Sequence, residues 1–201
     1  MSTVLYLHGK GGSAAESEHY RALFPLSNVV GLDYKSTTPW EAKKEFPALF
    51  ERYAGGEKII LIANSIGAYF AMQAEIEAHL EKAYFISPMV DLEGLVRGMM
   101  KALNITEAEL EEKRVIETPF GEDLSWDYLS YIRNHPIAWQ TPTHILYGEN
   151  DVLTPRETIE TFAKAHRATL TVMTGGEHWF HTTEQMRFLD NWIKEKEGAM
   201  R

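Results

Sequence analysis

Short apolar runs alternate with helix-patterned segments along this chain, and that rhythm constrains the fold more than any other feature. Val4–Leu7, Val29–Leu32, Lys58–Ile62, Ala83–Ile86, His144–Tyr147 and Leu170–Met173 have strand length. They lack the apolar–polar alternation of a sheet with one wet face. Between them, Ala14–Phe24, Pro39 to about Tyr53, Ile66 to about Leu80, Pro155–His166 and Thr183–Ile193 carry helical patterns. Pro39 suits a first helical turn, and Gly55-Gly56 closes that helix. The alternation predicts an α/β fold: a three-layer α/β/α sandwich around a mostly parallel sheet of about six strands. The 201 residues suit one domain, 1–201, with one sizeable core.

One region breaks the rhythm. Between Pro88 and Pro142 there is more chain than one crossover helix requires. Leu92, Leu95, Val96, Met99, Met100 and Leu103 fall on one helical face. Thr106 with Glu109 has capping-box spacing and opens a second helix through Glu107–Arg114. A third helical piece runs near Trp126–Arg133. The segment at about 89–140 reads as a small helical insertion at the carboxyl ends of the strands, a cap or lid. For any single residue in its Met and aromatic stripes, core packing is the simpler explanation.

Composition removes several function classes. There are no cysteines, which excludes disulfides, thiolate catalysis and Cys-based zinc sites. The net charge of −9 makes nucleic acid and anionic membrane surfaces poor partners. No apolar run approaches the ~20 residues of a membrane span, and Met1-Ser2-Thr3 leads into a strand without a basic region. A cytoplasmic protein without membrane insertion is expected.

Ligands of open parallel sheets bind outside the carboxyl ends of the strands, so polar residues just past strands matter most. His8-Gly9-Lys10-Gly11-Gly12-Ser13, Ser65, Glu149-Asn150-Asp151 and His178 stand there. Ser65 lies in "ANSIG", a corner between a buried strand and a helix, flanked by the small residues Ala63 and Gly67. A serine hydroxyl becomes a nucleophile when a neighbouring base takes its proton, and a tight corner lifts it clear of the sheet. Capping a helix is the competing role. Asp151 and His178 follow two later strands, so the order is Ser, Asp, His. In that order Asp orients the imidazole and His moves the proton. No metal site is evident: His178 and His181 lack accompanying carboxylates in a ligand pattern. "HGKGGS" lacks the spacing of a nucleotide-phosphate loop.

"YLHGKGGS", "NSIGA", "YGENDVLTP" and "GGEHWF", spread over nearly the whole chain, resemble the α/β-hydrolase fold family, in the manner of small esterase-like serine hydrolases. The resemblance implies Ser65 as nucleophile, His178 as base and Asp151 as acid. It implies an oxyanion hole from the backbone N–H groups of Ile66 and Lys10, with Gly11 the lesser candidate for the second donor, and a structural role for His8. Asp91 is the rival acid and His181 the rival base. Asp151 is preferred for its G-x-x-D spacing from Gly148, and His178 for its place directly after Gly175-Gly176. Glu149 and Glu177 are expected to be solvated loop charges. The family's G-x-S-x-G departs at Ala63, where another small side chain stands. The chain begins at what would be the family's third strand, so a minimal six-stranded version is expected.

The implied function is hydrolysis of an ester, thioester or amide of a small-molecule acyl substrate, without cofactor. Acyl transfer, C–C bond hydrolysis, peptidase and haloperoxidase-like chemistry run on the same scaffold. A non-catalytic binding protein is the remaining alternative.

Overall fold

The structure, a computed structural model, describes residues 2–198. Six parallel strands form the sheet: β1 (Thr3–Leu7), β2 (Asn28–Gly31), β3 (Ile59–Asn64), β4 (Leu80–Ile86), β7 (Thr143–Gly148) and β8 (Thr169–Met173). Their order is β2-β1-β3-β4-β7-β8. The direction of winding reverses at β1 and β3, and a crevice opens at such a reversal. The helices are α1 (Pro39–Ala54), α2 (Ile66–Gln73), α6 (Arg156–Ala165) and α7 (Thr183–Gly198), with 3-10 helices at Ala14–Ala22 and Glu77–His79.

Strand side chains alternate between faces, and the sheet uses both. Val4, Tyr6, Ile60, Ile62, Tyr84, Ile86 and Leu146 form one buried cluster with Tyr20, Leu189, Trp192 and Ile193 from the first 3-10 helix and α7. The intervening residues Leu5, Leu7, Leu61, Ala63, Phe85 and Ile145 are also fully buried. Phe85 meets the ring of Trp139 at 5.5 Å. Double-sided burial explains the near-continuous apolar strands.

The helix expected from Ile66 to about Leu80 is shorter. Glu75 takes a left-handed conformation (φ 56°) just past α2. Ile76 and Leu80 kept a helical spacing in the sequence, but Leu80 opens β4. The break frees Glu77 to accept bonds from Gln140 N, Thr141 N and Thr141 Oγ1, at 2.7, 2.6 and 2.9 Å. Those contacts anchor the approach to β7.

Residues 91–137 form a compact unit of their own, distinct from 1–90 with 138–201. This unit holds α3 (Leu92–Ala102), α4 (Glu107–Lys113), the two-residue strands β5 (Val115–Ile116) and β6 (Leu124–Ser125), and α5 (Trp126–Asn134). The antiparallel β5–β6 pair was not expected from the sequence, because two-residue strands carry no periodicity. Arg133 joins α3, α4 and α5, pairing with Glu93 (2.8 Å) and Glu107 (2.6 Å).

At the amino ends of the strands, α7 is pinned through Glu197, which accepts from Tyr84 (2.5 Å) and pairs with Lys82 (2.7 Å). His144 stacks on Tyr84 and pairs with Thr169 Oγ1 at 2.7 Å. Burial, then the charges of Lys196 and Lys82, hold His144 below its ordinary value of 6.5. The unfolded chain therefore takes this proton first, and stability falls as pH drops through 6.5. The melting temperature should fall less between pH 7.5 and 5.5 in His144→Asn than in the unsubstituted protein. Equal pH dependence of the two would refute this assignment.

Candidate active site

Ser65 occupies a strained corner between β3 and α2, with φ 49° and ψ −120°. Such a backbone costs ~1–3 kcal/mol in a non-glycine residue and persists only when its surroundings impose it. Here its N–H donates to Ile86 O at 3.0 Å, and its carbonyl accepts from Met89 N at 3.2 Å. Gly67 lets α2 start this abruptly. A Cβ there would lie 2.4 Å from the His8 carbonyl oxygen and 3.1 Å from that of Leu7. Ala63 is fully buried in β3, in register with Leu7 and Phe85, so its methyl group fits where the family pattern has glycine.

The loop after β1 reaches the same corner. A Cβ on Gly9 would lie 3.2 Å from Ser65 Cβ. Gly12 N donates to Gly9 O at 3.1 Å, closing a turn with Lys10 and Gly11 at its apex, and Gly11 has φ 73°. His8 stacks on Tyr34 at 4.4 Å, and Tyr34 donates to the His8 carbonyl at 2.7 Å, so this histidine braces the loop. Ile66 is the first residue of α2, and first-turn N–H groups have no acceptor within their own helix.

Ser65 Oγ lies 2.8 Å from His178 Nε2, and His178 Nδ1 lies 2.7 Å from Asp151 Oδ2. An ionised carboxylate only accepts, so Nδ1 carries the proton and neutral Nε2 is the acceptor for the Ser65 hydroxyl. The Asp151 side chain is fully buried. Its other oxygen, Oδ1, accepts from Leu153 N (2.8 Å) and Thr154 N (3.2 Å), which leaves Oδ2 aimed at the imidazole. Three residues from three separate loops thus form one hydrogen-bonded line.

The loops bearing Asp151 and His178 are laced together. Asn150 N donates to Gly176 O at 2.8 Å and Glu149 N to Met173 O at 3.0 Å. A Cβ on Gly148 would lie 2.4 Å from Glu177 O, so only glycine permits this approach. Glu149 is an exposed loop charge, and its Oε2 also accepts from Gly175 N at 2.9 Å. Glu177 is exposed and lies 3.7 Å from His181. The rivals are engaged elsewhere. Asp91 caps α3 by accepting from Gly94 N at 2.8 Å. His181 stacks on Trp179 and bonds the Trp179 carbonyl at 2.7 Å.

Sequence reasoning missed one group beside this site. Glu16 Oε1 accepts from Ser13 N at 3.1 Å, while Oε2 accepts from the Tyr6 hydroxyl. Tyr6 in turn accepts from Asn64 Nδ2 at 2.8 Å. The Ser13-x-x-Glu16 capping-box spacing was the one available signal.

Solved structures resemble the whole chain. Est1E from Butyrivibrio proteoclasticus superposes with a TM-score of 0.79 at 17% identity, covering 98% of this chain and 87% of that one. Alpha/beta hydrolase domain-containing protein 10 from mouse gives 0.74 at 16%, covering 99% and 90%. This chain has the α/β-hydrolase fold. The Paleococcus ferrophilus monoacylglycerol lipase shares that fold at a TM-score of 0.59 and 18% identity, covering 96% of this chain and 94% of its own. No protein-family model and no curated protein sequence matches the chain. Among the described residues, no helix is long and apolar enough to cross a membrane.

In this α/β-hydrolase fold the Gly67 contact sets the distance between the β1 loop and the Ser65 corner. Gly67→Ala must push its Cβ against backbone. We expect ~2–4 kcal/mol of destabilisation, and a slowed Ser65 in whatever fraction folds. A melting curve and a rate of Ser65 labelling by a fluorophosphonate probe that both match the unsubstituted protein would refute the close approach.

Proposed function

We propose that the protein is a serine hydrolase of the carboxylesterase type. The observation that carries this reading is the continuous line from Ser65 through His178 to the buried Asp151. Ser65 Oγ attacks the ester carbonyl while its proton passes to His178 Nε2. Asp151 offsets the imidazolium charge and keeps the ring oriented. The N–H groups of Ile66 and Lys10 stabilise the oxyanion. Collapse breaks the ester C–O bond, His178 returns the proton to the departing alcohol, and an acyl-Ser65 remains. A water, deprotonated by His178, releases the acid and restores Ser65.

The relatives in structure support hydrolysis as the reaction class, with a monoacylglycerol lipase among them. Three apolar side chains on the catalytic loops favour a substrate with an apolar portion. Val152 and Leu153 directly follow the acid, and Trp179 directly follows the base; they are 89%, 41% and 71% exposed.

A fluorophosphonate probe should label the folded protein, and Ser65→Ala should remove both labelling and ester hydrolysis. Asp151→Asn should lower kcat by ~10³-fold or more, by favouring the wrong imidazole tautomer. Unlabelled native protein, or labelling that survives Ser65→Ala, would sink the reading.

A further inference from the structure

Glu16 lies in the 3-10 helix after the β1 loop and takes no part in the proton relay. Its two carboxylate oxygens nevertheless bond the β1 loop directly and, through Tyr6, the strand end before Ser65. Oε1 accepts the N–H of Ser13, the residue after the turn Gly9–Gly12. Oε2 accepts the hydroxyl of Tyr6, which is fully buried in β1, and Tyr6 accepts Asn64 Nδ2. Asn64 is the residue before Ser65. Burial first, then the Tyr20 ring neighbour and the bond to Glu16, push the Tyr6 hydroxyl far above its usual range, so it stays a donor. The β1 loop closes over this carboxylate: a Cβ on Gly12 would lie 2.6 Å from Glu16 Oε1.

The strand pleat makes the connection possible. Asn64 points to the opposite face of the sheet from Ala63, the face that Tyr6 and Ile62 share. One carboxylate therefore spans the loop that bears Lys10 and the strand end that bears Ser65. Simple capping of the 3-10 helix would need only the Ser13 contact.

We propose that Glu16 is a positioning residue for ester hydrolysis, holding the Lys10 loop and the Ser65 strand end in register through Ser13 N–H and the Tyr6–Asn64 pair. This rests on the serine-hydrolase reading above. Its effect falls on the transition state. A loop donor displaced by a fraction of an ångström still admits substrate but meets the oxyanion poorly.

The test compares Glu16→Ala, Glu16→Gln and Tyr6→Phe with the native protein. It uses kcat and KM on a short-chain ester, the rate constant of fluorophosphonate labelling, and thermal melting. Glu16→Ala, folded at the assay temperature, should lose kcat by on the order of 10-fold or more, with KM within about twofold and labelling slowed in step. Glu16→Gln, whose amide oxygen can still accept Ser13 N–H, should recover much of the loss. Tyr6→Phe, which cuts only the arm toward Asn64, should fall between. Native kcat and labelling in folded Glu16→Ala overturn the proposal, as does a loss confined to KM. If Glu16→Ala does not fold, native kcat in both other variants overturns it, and a lowered kcat at native KM in Tyr6→Phe supports it. Failure of the native protein to label would instead overturn the Ser65 reading. Labelled native protein with an unaffected Glu16→Ala overturns only the role of Glu16.

Discussion

The strained conformation of Ser65 is the constraint around which the rest of the candidate site is arranged. A left-handed φ on a side-chain-bearing residue is unfavourable by ~1–3 kcal/mol, so the surroundings must supply more than that. They do so from β4 and the loop after it, where Ile86 O and Met89 N bond the two peptide groups of Ser65. They do so again from β1, whose His8 carbonyl rests against Gly67. Both neighbouring strands of β3 thus brace one corner. A parallel sheet provides this naturally, since its strand ends all emerge on the same rim.

The loops bearing Asp151 and His178 solve a different problem. Asp151 and His178 must meet a serine that neither β7 nor β8 adjoins. Their loops are first bonded to each other, through Asn150, Glu149, Gly148 and the Gly175–Gly176 turn, and only then to Ser65. A pre-assembled pair loses less conformational freedom in meeting Ser65 than two independent loops would. The twofold use of Asp151, with Oδ1 fixed by local N–H groups and Oδ2 turned to the imidazole, serves the same end.

Much of this was legible in the sequence, for physical reasons that also mark where legibility stops. Apolar runs such as Ile59–Ile62 announced buried strands because both faces of the sheet are covered. Ser65, Asp151 and His178 stood out because each follows such a run. The end of the helix after Ile66 is not legible, because Ile76 and Leu80 satisfy helical and strand patterns alike. β5 and β6 were invisible because two residues have no period. The Glu16–Tyr6–Asn64 chain was hidden for another reason. Tyr6 read as one more apolar strand residue, and its partners lie 10 and 58 residues away. Such links depend on register and pleat, which become definite only in the folded sheet.

The unit 91–137 is one continuous stretch of chain inserted between β4 and β7. The chain leaves the sheet after β4 and returns at β7, two strands that are hydrogen-bonded neighbours. Their pairing fixes the register there whatever length of chain runs between them, because closing a longer loop adds only slowly to the entropic cost. The gap between Val90 and Ala138 is thus a joint where segments can be exchanged over evolutionary time, or grafted by an engineer, while the strand ends that carry Ser65, Asp151 and His178 keep their spacing.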